Sequence, residues 1–306
     1  MTNLKGEVLV SIAMTTYNGE KFLREQLESI YEQTYKNIEI VVCDDGSSDG
    51  TISILQEYEK KYGLRLYVNE TNLGYVKNFE KACSLCKGEY IALSDQDDVW
   101  LPHKLATLKK VMGPNLLVFS DMRLIDEEGD ILKKSFFKCY KMAPERALDV
   151  KYMAFRNYVT GCTVLFKQEL LRKALPFNVN VSHDYWLAMI SLNEGKLTYS
   201  REQLTSYRQH SSNIVGIKAV SLLSTIKRTK IMMTDFNYRK NVLQGLASYE
   251  YFNNELKVAI KCAFSAYEGL TNPSKSLLIK ALIFVKYHKY IFSKNLLEGV
   301  LLRIRK

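Results

Sequence analysis

The chain has 306 residues, 47% of them hydrophobic and 25% charged, with a formal net charge of +10. This suits a soluble protein with one large domain and an appendage. Met1–Glu7 lacks the basic start and long apolar core of a leader, and no window of 18 apolar residues predicts a membrane span. The six cysteines (43, 83, 86, 139, 162 and 262) match neither zinc nor disulfide spacings, so a reducing, cytoplasmic setting is expected.

Val8–Met14 reads as a strand, and Gly19–Thr34 carries Phe22, Leu23, Leu27, Ile30 and Tyr31 at helical spacing. Ile38–Cys43 is a second, β-branched strand, followed by a helix with Ile52, Leu55, Tyr58 and Tyr62. Leu64–Val68 (strand), Gly74–Lys87 (helix) and Glu89–Leu93 (strand) continue the alternation. Such alternation predicts an α/β fold, Rossmann-like, with a mainly parallel sheet flanked by helices. Ligands of such sheets bind beyond the carboxyl ends of the strands. Thr15–Asn18, Asp44–Asp49 and Asp95–Asp98 each follow a strand, so three polar loops should meet on one rim.

Asp44-Asp45-Gly46-Ser47-Ser48-Asp49 holds more acid than helix capping requires, and suits recognition of base N–H groups or ribose hydroxyls. Lys77, one turn into the third helix, would face the same rim and offset phosphate charge. Cys83 and Cys86 fall on that helix's apolar face with Tyr75, Val76, Phe79 and Ala82, which predicts core packing.

Leu93–Leu101 reads L-S-D-Q-D-D-V-W-L, with Asp95, Asp97 and Asp98 inside four positions at a strand end. Carboxylates so crowded shift their pKa values upward or recruit a metal. A D-x-D turn suits a hard divalent ion that substrate phosphates also hold.

A helix from Pro102 to Val111 leads to a strand at Leu116–Ser120 and a turn at Asp126–Asp130. Asn157–Phe166 reads as a strand, His183–Asn193 as a helix, and Lys196–Tyr199 and Leu204–Arg208 as two short strands. Asp184 opens its helix; beyond complementing the dipole, it is placed to take the proton from an attacking hydroxyl. His210, in Tyr207-Arg208-Gln209-His210-Ser211-Ser212-Asn213, would complete a metal's coordination or meet a diphosphate, with Arg208 assisting. The expected division is 1–216 as the catalytic domain and 217–306 as a helical extension.

Seven motifs then stand in order over about residues 8–216: Thr15-Thr16-Tyr17-Asn18, Asp44-Asp45-Gly46-Ser47, Asn72-Leu73-Gly74, Asp95-Gln96-Asp97-Asp98, Thr160-Gly161-Cys162, His183-Asp184 and Tyr207-Arg208-x-His210. Together they resemble the family 2 glycosyltransferases of the GT-A fold. The resemblance implies a nucleotide-sugar donor, inversion at the anomeric carbon, and Mn²⁺ or Mg²⁺ at the D-x-D. It would set Thr16, Tyr17, Asp44 and Asp45 around the nucleoside, Asp97 foremost on the metal and Asp184 as the general base. Read from their own positions, Asn18 joins the nucleoside candidates, Asp95 and His210 the metal candidates, and Lys77 and Arg208 the diphosphate candidates. The wording S-D-Q-D-D-V-W, T-G-C, H-D-Y-W and Y-R-Q-H-x-x-N is most similar to the bacterial rhamnosyltransferases. That implies dTDP-rhamnose as donor, with a UDP-hexose or UDP-N-acetylhexosamine as the alternative, and a surface-polysaccharide or lipid-linked saccharide acceptor. The Q-x-x-R-W motif of processive members is missing, so one or a few sugars per encounter are expected.

From Lys218 onward the chain holds 16 Lys+Arg against 5 Asp+Glu. Ser276–Phe292 places Leu277, Leu278, Ala281, Phe284, Val285, His288 and Phe292 on one side and Lys280, Lys286 and Lys289 elsewhere. Such a helix packs on the catalytic domain, forms a homo-oligomer, or lies on an anionic bilayer at the inner face of the cell membrane. A nucleic-acid-binding role lacks any base-reading motif. A dinucleotide oxidoreductase would need G-x-G-x-x-G after the first strand, where this chain has T-T-Y-N-G-E.

Overall fold

The structure, a computed structural model, describes residues 7–210, 225–272 and 274–291. The chain opens as β1 (Val10–Thr16), α1 (Leu23–Tyr31), β2 (Ile38–Asp44), α2 (Thr51–Tyr62), β3 (Arg65–Val68), α3 (Tyr75–Leu85) and β4 (Tyr90–Ser94). There follow β5 (Val99–Trp100), α4 (Lys104–Met112), β6 (Leu117–Ile125), β7 (Ile131–Lys133), α5 (Phe136–Cys139) and α6 (Val150–Phe155). The order ends with β8 (Val164–Lys167), α7 (Gln168–Ala174), α8 (His183–Asn193), β9 (Leu197–Arg208), α9 (Thr225–Ala247), α10 (Asn254–Thr271) and α11 (Leu277–Ile291). The described residues form two compact units, 7–136 with 159–210, and 137–158 with 225–272 and 274–291.

The first unit is built on one sheet of order β3-β2-β1-β4-β8-β6-β9-β5, with β7 joined to β6. β3, β2, β1 and β4 are mutually parallel, as the strand–helix alternation predicts. β8 lies antiparallel between β4 and β6, and β6 and β9 are parallel. β1 and β2 are buried over nearly their whole length because helices cover both faces. α1 drives Leu23, Leu27 and Ile30 into the core one helical turn apart, where each is fully buried. α2 stops at Gly63, whose φ of +75° closes the helix with a left-handed residue. Cys83 and Cys86 are buried free thiols, as their helical spacing predicts.

Two segments differ from the sequence expectation. Instead of a strand over 157–166, a single 3-10 turn at Gly161–Thr163 precedes the short β8. The two short strands expected at 196–208 are one strand, β9. The polar stretch Ser200–Gln203 interrupts the apolar pattern because the β6–β9 register shifts there, at a bulge that turns Arg201 and Glu202 to solvent.

In the second unit α6 and α10 meet at Phe155. Its carbonyl accepts hydrogen bonds from the Tyr267 hydroxyl (2.9 Å) and from Arg239 Nη1 (3.1 Å). α10 buries Leu256, Ile260, Ala263 and Tyr267 on one face. Residues 137–158 belong to this unit although they precede the expected boundary; residue 216 itself lies outside the described residues. α11 is helical as expected, with Val285 65% exposed. Phe292 and the side chains of Leu277, Leu278, Ala281, Phe284, His288 and Lys289 lie outside what is described. Among the described residues no helix is long and apolar enough to cross a membrane.

Candidate active site

The loops that follow β1 and β2 are stitched together by side chains. Thr16 Oγ1 donates to Asp44 Oδ2 (2.6 Å), and Asn18 Oδ1 accepts from the Ser48 amide (2.8 Å). The Asn18 and Gly19 amides donate to Ser47 Oγ and Thr51 Oγ1 (2.8 Å each). Asn18 holds a left-handed φ of +49°, which this residue type tolerates. Asp44, fully buried, also accepts from the Ser47 hydroxyl (2.6 Å) and from the Gly46 and Ser47 amides. With four hydrogen bonds received from its own chain, Asp44 shapes this loop rather than presenting a free acceptor to a base.

Asp45 serves the third loop. Its Oδ1 accepts from Asn69 Nδ2 and the Leu73 amide (2.8 Å each), and its Oδ2 from the Gly74 amide (2.9 Å). Tyr17 is 51% exposed on the rim. Its backbone is clasped by the amide of Gln96, which accepts from Tyr17 N (2.8 Å) and donates to Tyr17 O (3.1 Å). A Cβ at Gly19 would lie 2.3 Å from Gln96 Oε1, so glycine is what lets that side chain cross.

The acids of the D-x-D turn are in a different condition. Ligand atoms of Asp95, Asp98 and Cys162 lie within 4.8 Å of one another, a grouping the sequence did not predict. Burial, then the nearby charges of Asp97 and Asp184, push the Asp95 carboxyl up to about 7. Asp98 is fully buried; its Oδ1 accepts from the Arg208 amide (3.2 Å), whereas Oδ2 has no hydrogen-bond partner. Burial also raises its carboxyl, and Asp97 and Asp95 push the same way. Beneath them sits Lys104, fully buried, its ammonium donating to the Cys162 carbonyl (2.6 Å). Nothing in the sequence distinguishes this lysine from the solvated ones around it.

Asp97 Oδ2 and His210 Nε2 are 2.7 Å apart, so these two expected ligands do meet. They do not join Asp95 in a single three-residue cluster among the described residues. Arg208 departs from its expected place at a diphosphate. Its side chain is 1% exposed, with Nε bonded to the Asp97 carbonyl, Nη1 to the Asp126 and Glu127 carbonyls, and Nη2 to Glu25. A guanidinium with four such bonds fixes the loop that carries Asp97. Lys77 differs likewise: it pairs with Glu80 (2.9 Å), three residues along α3.

Asp184 stands in the first turn of α8. Its Oδ2 accepts from the Gly161 amide (3.0 Å) and its Oδ1 from the Tyr185 amide (2.6 Å). Asp184 thereby holds the residue next to Cys162, whose thiol lies with Asp95 and Asp98, and its charge adds to the upward push on Asp95. His183 beside it is buried and stacked on Phe79 at 3.9 Å, with both ring nitrogens unpartnered; burial lowers its pKa. A Cβ at Gly161 would lie 2.8 Å from His183 Nε2, so the turn at 161 needs glycine to pass this ring.

Crowded carboxylates at Asp95, Asp97 and Asp98, one with an orphaned buried oxygen, fit a divalent cation. The Cys162 thiol fits it less well, since burial raises its pKa and keeps it protonated.

A mostly parallel sheet with an acidic rim at its strand ends is compatible with the GT-A fold of glycosyltransferases. The pattern described as "Glycosyl transferase family 2" matches residues 11–174. The chain belongs to that family.

Among its relatives is an uncharacterised glycosyltransferase of Methanocaldococcus jannaschii, 32% identical over 265 residues that make up 82% of this chain and 87% of the relative. The dTDP-rhamnosyl transferase RfbG of Shigella flexneri is 30% identical over 262 residues, 79% of this chain and 88% of that one. Other relatives are longer, and the chain spans 60% to 65% of their length. The S. aureus TarS 1–349 structure in complex with UDP-GlcNAc has a TM-score of 0.60 at 17% identity, covering 93% of this chain and 80% of that one. Glucosyl-3-phosphoglycerate synthase of Mycobacterium tuberculosis, in complex with Mn²⁺ and UDP, has a TM-score of 0.51 at 15% identity, covering 82% of each.

Proposed function

We propose that this glycosyltransferase moves rhamnose from dTDP-rhamnose to a hydroxyl of a bacterial surface-polysaccharide or lipid-linked saccharide, inverting the anomeric carbon. The observation that carries the reading is that Asp184 accepts the Gly161 amide while the thiol of the next residue, Cys162, lies with Asp95 and Asp98, which supports a held carboxylate beside the D-x-D acids. Asp184, oriented by the Gly161 amide, takes the proton of the acceptor hydroxyl as its oxygen bonds to the anomeric carbon and the bond to the diphosphate breaks. Asp95 and Asp97 would hold Mn²⁺ or Mg²⁺, with His210 positioning Asp97 or joining it. When bound, that ion supplies charge neutralisation for the departing diphosphate. Tyr17, Thr16, Asn18 and Asp45 form the nucleoside side; Asp45 Oδ2 accepts only one of the hydrogen bonds described and keeps capacity for another.

RfbG supports the rhamnosyl reading. The UDP-GlcNAc bound to the S. aureus neighbour favours a UDP-N-acetylhexosamine as the alternative. The basic segment from Lys218 onward would hold the enzyme against anionic headgroups at the inner face of the membrane, beside a lipid-linked acceptor. Thermal-shift titration with dTDP-rhamnose, UDP-glucose and UDP-GlcNAc, with and without Mn²⁺, tests the donor. Greater stabilisation by dTDP-rhamnose is expected, and the reverse order would replace it with a UDP sugar. Loss of transfer in Asp184→Asn tests the base.

A further inference from the structure

The T-G-C turn at 160–162 is a junction. Gly161 gives its amide to Asp184, while the next residue, Cys162, gives its carbonyl to Lys104 Nζ (2.6 Å) and to Thr205 Oγ1 (3.2 Å). The thiol of the same Cys162 lies with Asp95 and Asp98. Lys104 has no exposed surface, and its Nζ sits 3.5 Å from the centre of the Trp100 ring. A lysine buried to this degree is costly unless charge or hydrogen bonding compensates it. Here burial lowers the ammonium's pKa to about 7 against the opposing charges of Asp98 and Asp95, and the Cys162 carbonyl receives its hydrogen bond. Helix α4, which begins at Lys104, therefore reaches both halves of the chemistry through one side chain.

We propose that Lys104 is a positioning residue: through the Cys162 carbonyl it holds the turn that aims Asp184, and in its protonated form it offsets charge at the floor of the D-x-D cluster. This rests on the reading of Asp184 as base and the D-x-D acids as the cation site. Two consequences separate it from a merely structural lysine. Removing the internal cation leaves more uncompensated acid, so added Mn²⁺ binds more tightly. Releasing the turn misaims Asp184, so turnover falls while donor affinity holds.

The test is Lys104→Met, which keeps the apolar stem. Mn²⁺ binding is titrated by electron paramagnetic resonance without donor, and nucleotide release gives kcat and KM. About tenfold tighter Mn²⁺ binding is expected from loss of one neighbouring charge. A fall in kcat of about a hundredfold is expected from a base displaced by about 1 Å, with donor KM within about threefold. Unchanged or weaker Mn²⁺ binding, or a kcat within twofold of wild type, overturns the assignment. Should K104M fail to fold, the double variant D98N/K104M is read instead. With the opposing buried charge of Asp98 removed as well, it should fold and melt above K104M; failure to do so overturns the assignment. A wild-type protein that binds no Mn²⁺, or an Asp184→Asn variant that retains full turnover, would instead undo the underlying reading, so the two failures remain distinct.

Discussion

The loops after β1, β2 and β3 and the D-x-D turn follow strands of the same sheet but are held in opposite ways. At Thr16–Asn18, Asp44–Asp49 and Asn69–Gly74 the acids Asp44, Asp45 and Asp49 meet hydroxyls and amides of the chain, and Asp44 alone collects four hydrogen bonds. Around Asp95 and Asp98 the acids face one another and a buried lysine, and one carboxylate oxygen has nothing to bond. The first region's acids are held by the chain itself, with Asp45 Oδ2 keeping room for one more hydrogen bond. The second carries negative charge that only a proton, Lys104 or an added cation can balance.

The comparison is broken most forcefully at the rim's chemistry. Asp184→Asn should lower transfer by about 10²–10⁴-fold, the range for loss of an acid–base group, and Asp97→Asn should lower it through loss of cation binding, while both melting curves stay near wild type. Near-normal turnover in either variant removes that residue from the chemistry. On the completed side, Asp45→Ala should destabilise the fold by about 1–3 kcal/mol in urea unfolding, because the Leu73 and Gly74 amides lose their acceptor.

The unbalanced side should respond to pH. The folded Asp95 carboxyl keeps its proton until about 7, whereas an unfolded one releases it near 3.9. Between those values the folded state binds more protons, so metal-free stability contributed by this group falls as pH rises from about 4 to about 7. Mn²⁺ replaces the proton, so its thermal stabilisation should be about 2–4 °C larger at pH 8 than at pH 5. Equal shifts at both values would mean that Asp95 is not a ligand. The smallest effect is expected at Lys77→Ala. Loss of the partly exposed pair with Glu80 should cost about 0.2–1 kcal/mol and change donor KM less than about threefold. A larger rise in KM would return Lys77 to the diphosphate.

Much of the first unit was legible because its signals are local. β-branched runs bounded by polar turns gave β1, β2 and β4, and helical spacing gave α1, α3 and α8. Motifs at strand ends could be assigned to one rim because a parallel sheet gathers its loops there. What escaped depends on partners distant in the chain. β9 looked broken because a bulge against β6 exposes Arg201 and Glu202. Arg208 is buried through Glu25 and the 126–127 carbonyls, 183 and about 80 residues away, so nothing in Y-R-Q-H revealed that its charge was already used. Lys104 escaped for the same reason, its partner being the Cys162 carbonyl.

Gln96, the residue between the two acids of the D-x-D, grips the Tyr17 backbone at both its amide and its carbonyl. The two loops are thus joined through one side chain, so residues 95–98 and the Tyr17 backbone constrain each other. On the proposed reading, a cation held at residues 95–97 and a nucleoside beside Tyr17 would be coupled through this one amide.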